Sequence, residues 1–579
     1  MQSGRRVGAG LVGALALCAA SVVSLPAGAL GARVSPQVTA NVWSAGIEAP
    51  GSGALNTGGV SGIDELSCTK VGDCVAVGTY ATSATADADF MDVESGGTWA
   101  NAEEIPGYAA LNVGTSQDVS ASVDCPSTGN CTVAGTYSGS GNYLYPFTES
   151  ESNGQWSTAL ELTGFSVGNG DSSATISALT CTGVGDCEVS GAYDNASITA
   201  YVATESHGVW GAPVDLSGFS ALGDVAVVFP TSLSCSSAGN CGEAGIYTIG
   251  AGTTDVVSYV ANETNGTWDS VTTIPGLSAL DTASIDAPAQ ISCTGTGDCV
   301  VGGEFGVSAT ASGGFIAVES SGTWQSAEVV PGLATLNAGG DASTDAVACA
   351  NSTTCVVGGT YKDAAGSYQA FVEDKTNGSW SSAEEVPGSS TLNSGGAASI
   401  LALSCSSAGN CGGTGAYTDN QGNVQAFVVN QSDGTWRSAI EVAGVQALNQ
   451  DGLAEGLTIS CASDGSCAAG GVYADDVNDA QAFVASSNAT LSAPSAPSIR
   501  VVAHANGEVS VSLKATVANG GDPVTGYEYS VDGHAWTKAK SSSFSILHLA
   551  AHRVHRVRVR ALNALGAGKI SASVAVLVA

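Results

Sequence analysis

Between about residues 40 and 490 the apolar positions come in short bursts separated by Gly, Asn, Asp, Ser and Thr. No stretch keeps the three-to-four spacing of an amphipathic helix. The bursts are rich in β-branched and aromatic residues and bounded by turn formers, which predicts short strands. They come in sets of four. The first ends in a Ser-Cys type of dipeptide, as in Ile291-Ser292-Cys293, and the second runs from a cysteine to Gly-x-Tyr or Gly-x-Phe, as in Cys355 to Tyr361. The third pairs an aromatic residue with valine, as in Phe371-Val372. The fourth begins at a tryptophan and ends near Pro-Gly, as in Trp380 to Gly388. Asn265-Gly266 and Asn377-Gly378, just before that last strand, are hairpin turn signals.

The set repeats with steps of 54 to 58 residues, its first cysteines falling at 68, 125, 181, 235, 293, 349, 405 and 461. Tryptophans at 43, 99, 156, 210, 268, 324, 380 and 436 keep the same beat. Four short antiparallel strands at this period predict the blade of a β-propeller, whose radial repetition leaves only short sheet edges. The phase of the ends predicts closure. Trp43 has no first strand before it, and the eighth copy has Phe483-Val484 but no tryptophan after it. The expectation is an all-β, eight-bladed β-propeller over residues 38–490, with the N-terminal segment supplying the last blade's missing outer strand.

Seventeen cysteines are present. Cys18 lies in an apolar leader; the other sixteen form eight C-x5-C pairs: Cys68/Cys74, Cys125/Cys131, Cys181/Cys187, Cys235/Cys241, Cys293/Cys299, Cys349/Cys355, Cys405/Cys411 and Cys461/Cys467. Zinc sites usually leave two to four residues between paired cysteines and draw in histidine. The repeats hold one histidine, His207. An even count at fixed spacing predicts one local disulfide per blade.

Residues 1–32 read as an export signal: Arg5 and Arg6, an apolar run from Val7 to Val23, then Ala27-Gly28-Ala29 as a cleavage site. No later apolar run is long enough for a spanning helix. Residues 491–579 change character, with Pro494 and Pro497 marking a linker and alternating strands at Val509 to Leu513 and Val554 to Arg560. This tail, through Gly520-Gly521-Asp522-Pro523-Val524-Thr525-Gly526-Tyr527 and Arg558 to Gly566, resembles a fibronectin type III domain, which implies a β-sandwich. It departs from that pattern at Leu513, where a tryptophan is usual, and at His555, where the corner tyrosine is usual. The repeats, through Ser-Cys-x5-Cys-x-x-x-Gly-x-Tyr and Gly-Thr-Trp, resemble exported bacterial propellers, mostly actinobacterial. That resemblance implies an extracellular, secreted protein, free or associated with the cell wall, and brings no activity.

Charge divides the chain. Residues 34–490 carry 48 acids against Lys70, Lys362, Lys375 and Arg437, whereas 491–579 carry nine Lys/Arg against four acids. A surface so acidic excludes nucleic acid as partner, because phosphate binding needs cations. Mutual repulsion favours a monomer.

Several constellations carry candidate chemistry. The tryptophan ring could offer sugar platforms, but recurrence in every blade favours packing between blades. A ring in the long loops, Asn56, Asn112, Asn169, Asp281, Asn337, Asn393 and Asn449, is the candidate binding set, although such residues also serve left-handed turns. Acids five residues before a tryptophan (Glu94, Glu151, Glu205, Glu263, Glu319) or five after (Glu48, Glu104, Glu161, Asp215, Glu385, Glu441) recur by register, which fits charge on an exposed blade edge. Asp64, Glu65, Asp124 and Asp345 break the register near first strands and are the candidates for a glycosidase pair. Sialidase chemistry would need three arginines, and Arg437 stands alone in the ring. Asp475, Asp476 and Asp479, or Asp87 and Asp89, are the calcium candidates, but EF-type spacing is absent and no cofactor is expected. Arg556, Arg558 and Arg560 share one strand face and could meet an anionic polymer. The expected function is secreted, non-catalytic binding or surface interaction, with a glycan, cell-wall polymer or protein as ligand and no membrane insertion. The alternatives are a polysaccharide-degrading glycoside hydrolase, or its accessory protein, and a structural envelope protein.

Overall fold

The computed structural model describes the chain from Trp43 to Val578, apart from residues 165–172, 195–197, 251–254, 284–285, 476, 478, 488–495, 505–506, 514–525, 540, 542 and 564–565. The leader therefore lies outside the described residues. Two compact units are present, Trp43–Asn488 and the C-terminal tail.

In the larger unit the described residues form eight antiparallel sheets of one plan. In the first, Ser61–Lys70 pairs with Asp73–Ser83, which pairs with Ala86–Ser95, which takes Thr98–Trp99 and Glu103–Glu104 along its outer edge. Each innermost strand lies against the innermost strands of the sheets before and after it, and Ser61–Lys70 also lies against Ala454–Cys461. The ring is closed. Ile47–Glu48 pairs with Ala480–Ser486 and completes the last sheet, as the phase of the repeat predicts.

All eight disulfides form, each bridging the two strands of one hairpin, with Cys68 directly opposite Cys74 and Cys405 directly opposite Cys411. A six-residue separation closes a small loop, so each bridge contributes only about 2 kcal/mol in the chain-entropy model. The second cysteine of every pair is buried: Cys74, Cys131, Cys187, Cys241, Cys299, Cys355, Cys411 and Cys467. Cys131 is 4% exposed and belongs to the same apolar cluster as Phe147, and Cys411 is 3% exposed and belongs to that of Phe427. The reason is the stacking of the sheets. Both faces of each second strand are covered by neighbours, so the sulfurs of Cys131 and Cys411 serve as core atoms as well as crosslinks, in keeping with the burial usual for cysteine.

The Ser-Cys dipeptide has a physical reason. Its hydroxyl accepts the N–H of the first cysteine in the next sheet: Ser67 from Cys125 (3.0 Å), Ser234 from Cys293 (2.9 Å), Ser292 from Cys349 (3.1 Å) and Ser404 from Cys461 (2.9 Å). Ser460 closes the circle on Cys68 at 3.0 Å. Between sheets the third-strand aromatics Phe90, Phe147, Phe315, Phe371, Phe427 and Phe483 are fully buried. Among the described residues seven loops carry one helical turn, such as Tyr108–Leu111, entered through a glycine at positive φ (Gly107, 81°). One turn is too short to leave a helical period in sequence, and none was expected there.

The tail holds a three-stranded sheet (Ile499–Ala503, Val509–Leu513, Ser543–Ile546) and a second sheet built on Gly526–Val531 and Val554–Asn563. Val509, Val511 and Ile546 of one meet Val557 and Val559 of the other in a common core. His555 braces the corner: Nδ1 lies 2.7 Å from Asp532 Oδ2 and Nε2 lies 3.1 Å from Ala550 O. Arg560 is spent locally, pairing with Glu528 at 2.7 Å and lying over the Trp536 ring at 4.2 Å.

Candidate functional site

The candidate rings resolve differently. Each tryptophan is buried or half-buried, and indole N–H groups donate to the neighbouring sheet: Trp43 to Asn430 (3.1 Å), Trp436 to Asp374 (3.2 Å), Trp268 to Glu188 (3.0 Å). They pack between sheets and present no platform. The loop asparagines cap the helical turns. Asn393 Nδ2 donates to Tyr368 O at 2.8 Å while its Oδ1 accepts from Gly396 N, and Asn56, Asn112, Asn337 and Asn449 donate likewise to Ala480, Asp87, Ser312 and Val424. Asp281 accepts from Ala283 N at 3.1 Å, and Asn169 lies outside the described residues. These side chains are spent on the loops. Asn393→Ala should therefore cost about 1–3 kcal/mol of stability, read as a lower unfolding midpoint, and leave any ligand affinity unchanged.

The recurrent acids divide: Glu48, Glu161 and Asp215 lie on an exposed edge as expected, whereas most of the set before the tryptophans does not. Glu94, Glu205, Glu263 and Glu319 face their tryptophans across the pair and are buried. Both faces of such a sheet are covered by neighbours, so strand alternation does not sort polar residues outward. Glu161, Asp215, Glu385, Glu441 and Glu48 instead accept the hydroxyl of the Gly-x-Tyr tyrosine, as Glu441 does from Tyr417 at 2.6 Å. Among the calcium candidates, the Asp475 carboxylate is taken up by Val477 N, Asp479 N and Gln481 Nε2.

The four acids that break register open onto one space. Asp64, Glu65, Asp124 and Asp345 line one cavity of about 480 Å³ enclosed by all eight innermost strands, a size in the range of ligand sites. Its other polar lining includes Ser177, Thr231, Gln290 and Thr458; among the described residues no lysine, arginine, histidine or aromatic ring lines it. In seven of the innermost strands the register slips by one residue, and the slipped residue is Asp64, Ser177, Thr231, Ala289, Asp345, Leu401 or Leu457. A bulge re-aims a side chain out of the ladder, and here all seven line the cavity. Asp64 and Asp345 occupy the same station of two different sheets, four residues before their first cysteines.

The four acids differ in employment. Asp124 stands where the other sheets carry the ring-closing hydroxyl and does that work, accepting from Cys181 N at 2.7 Å and from Ser67 Oγ at 3.3 Å. Glu65 is bonded to Ser122 and to Val123 N–H of the next sheet; enclosure first, then the charges of Asp124 and Asp64, push it up to about 7. Enclosure likewise lifts Asp345 to about 7 and Asp64 to about 6. Asp64 is surrounded by protein yet exposed on the cavity side, and its hydrogen bond from Thr79 moderates the rise. Asp64 accepts from Thr79 Oγ1 at 2.6 Å, and Thr79 also lies 3.4 Å from the fully buried Asp89. One hydroxyl has one proton. Its shorter contact, to Asp64, takes that proton, and burial pushes the Asp89 carboxyl well above the usual range.

No known family model matches the chain and no curated protein matches it. Solved structures similar to it include an ulvan lyase bound to a GlcA–Rha3S unit, with 10% identity over 70% of this chain and 96% of that one at a TM-score of 0.40. They also include an α-L-arabinanase of Penicillium chrysogenum with arabinobiose, 13% identical over 55% of this chain and 93% of that one, TM-score 0.35. A protein of unknown function from Dyadobacter fermentans is 9% identical over 54% of this chain and 94% of that one, TM-score 0.35. Scores this low carry no argument about chemistry, and the reading of the site rests on its own geometry.

Proposed function

We infer that the protein is a secreted, glycan-acting propeller that takes its ligand into the central cavity, with Asp64 and Asp345 as its acid pair. The carrying observation is that two of the seven bulge side chains aimed into the cavity are carboxylates, and no cation among the lining residues neutralises them. Hydrolysis of a glycosidic bond needs one carboxyl that keeps its proton and one that has lost it. Asp345, pushed to about 7, suits the acid; Asp64, open to water and held by Thr79, suits the base or nucleophile. The hydroxyls of Ser177, Thr231 and Thr458 offer partners for sugar hydroxyls.

Eight disulfides support an extracellular setting, and no described helix is long and apolar enough to cross a membrane. The tail is read as a fibronectin type III module in which His555 takes the part of the corner tyrosine.

Neutral and uronic-acid polysaccharides incubated with the full chain should release reducing ends. Asp64→Asn and Asp345→Asn should each cut release by about a hundredfold or more while binding persists. No release from any polysaccharide with the unaltered chain would overturn the catalytic reading. Binding without release, unaffected by both substitutions, would return the protein to the non-catalytic class.

A further inference from the structure

The residue after the second cysteine of each sheet packs on the disulfide of the next. Thr132 touches Cys187 at 3.3 Å, and a side chain at Gly242 or Gly412 would collide with Cys293 and Cys299, or Cys461 and Cys467. By register the same station holds Val75, Val300, Val356 and Ala468. In one sheet it holds Glu188, whose Oε2 lies 3.2 Å from Cys241 Sγ and 3.9 Å from Cys235 Sγ.

A disulfide sulfur has no proton to give. The close approach of Oε2 to Cys241 is an attraction only when Glu188 carries the proton there. Its other oxygen is already an acceptor, taking the Trp268 N–H at 3.0 Å and the Thr204 hydroxyl at 3.4 Å. Glu263 faces it from the adjoining sheet; burial and that neighbouring charge push Glu188 up to about 8, so that of the two carboxyls Glu188 is the one that keeps the proton, within reach of both Glu263 and Cys241. Glu205 and Asp186 lie around the same small opening. Cys235 is half-buried whereas Cys241 is buried.

We propose that Cys235–Cys241 is the thiol-reactive disulfide of this ring and Glu188 its proton donor, forming a site for exchange with an external thiol or dithiol. An incoming thiolate attacks Cys235 Sγ and forms a mixed disulfide. The Cys235–Cys241 bond breaks, its electron pair goes to Cys241 Sγ, and that sulfur takes the proton from Glu188 Oε2, leaving a carboxylate. The second thiol of the dithiol gives its proton to the Glu188 carboxylate, attacks the mixed disulfide at the reagent's own sulfur, expels Cys235 as a thiolate and leaves as the cyclic disulfide. Exchange is faster when the leaving sulfur is stabilised. Thr132 beside Cys187 donates a hydrogen bond but is far too weak an acid to give up its proton, so that bridge gains no such assistance.

The test treats the oxidised, full-length protein at pH 7 with limiting dithiothreitol, traps free thiols with iodoacetamide and maps them by mass spectrometry. Cys235 and Cys241 should be alkylated about tenfold faster than the mean of the other seven pairs, and Glu188→Gln should bring them down to that mean. A merely structural Glu188 gives the opposite sign, since Glu188→Gln would loosen the sheet and speed reduction. Faster or unchanged reduction in that variant overturns the proposal. So does a wild-type order in which another pair leads, a ranking that stands even if the variant fails to fold.

Discussion

Replacing Glu149 and Glu373 together by methionine should make the protein more stable at pH 8 and flatten the dependence of its unfolding midpoint on pH. Both carboxyls occupy the same third-strand station, two residues past Phe147 and Phe371, and are 2% and 1% exposed. Neither oxygen of either group has a hydrogen-bond partner. Each faces an acid on the outer edge of the preceding sheet, Glu103 and Glu328 respectively, and burial followed by that like charge pushes each up to about 8. The folded chain then binds more protons than the unfolded one between the ordinary carboxyl value of 4.5 and about 8. Stability is fully present below that window and is lost as pH rises through it. At roughly 1.4 kcal/mol per unit of separation, each group contributes a loss on the order of 4 kcal/mol. Urea titrations at pH 5 and pH 8 check this: the wild type should weaken markedly across the interval and the double variant far less. Equal weakening in both would mean that these carboxyls are solvated or paired in the native state.

An opposing set acts at lower pH. Asp363, Asp419 and Asp475 accept backbone N–H bonds in their hairpin turns and are held below the ordinary range. Their contribution is present above the unfolded value and lost as pH falls through the folded one. The two sets together place the greatest stability in mildly acid solution.

Much of this architecture could be read from spacing. The period of the Ser-Cys and tryptophan markers carried the sheet plan, the local disulfides and, through the missing partner of Trp43, the closing strand. Polar employment was harder. In a ring of face-to-face sheets both sides of a strand are covered, so Glu94 and Glu149, which alternation suggests are outward, lie between sheets. The same covering takes Cys131 and Cys411 out of the solvent, although their spacing from Cys125 and Cys405 told only that a short loop is closed. The shared station of Asp64 and Asp345 was present in sequence, four residues before a first cysteine in each case. It carried meaning only with the bulge that turns that station into the cavity, and a one-residue slip has no sequence signature here. Asp124 misled in the other direction: its charge stood out, yet it replaces a serine in the circle of inter-sheet hydrogen bonds.

Trp43→Ala should destabilise the ring by about 3–5 kcal/mol, with the damage concentrated in the last sheet. Trp43 is 6% exposed and packs with Val428, Val442 and Ile459, on the two sheets it joins. Its indole N–H satisfies Asn430, whose buried amide oxygen would be left without that donor. Around it, Ser44 N donates to Ser486 O, Ile47 pairs with Val484, and Tyr473 donates to Glu48 across 425 positions of sequence. The other tryptophans of the ring sit in sheets whose strands follow one another in sequence, so the loss of one leaves the neighbouring strands tethered. Trp43 anchors a strand that reaches its sheet only from the far end of the chain. Once released, that strand regains the freedom of a long open loop. Hydrogen exchange should therefore show Ala480–Ser486 losing protection first in Trp43→Ala, whereas Trp380→Ala should perturb only Thr354–Glu385. Equal protection of Ala480–Ser486 in the two variants would mean that the ring holds without its N-terminal clasp, through the Ser460 to Cys68 bond and the innermost strands alone.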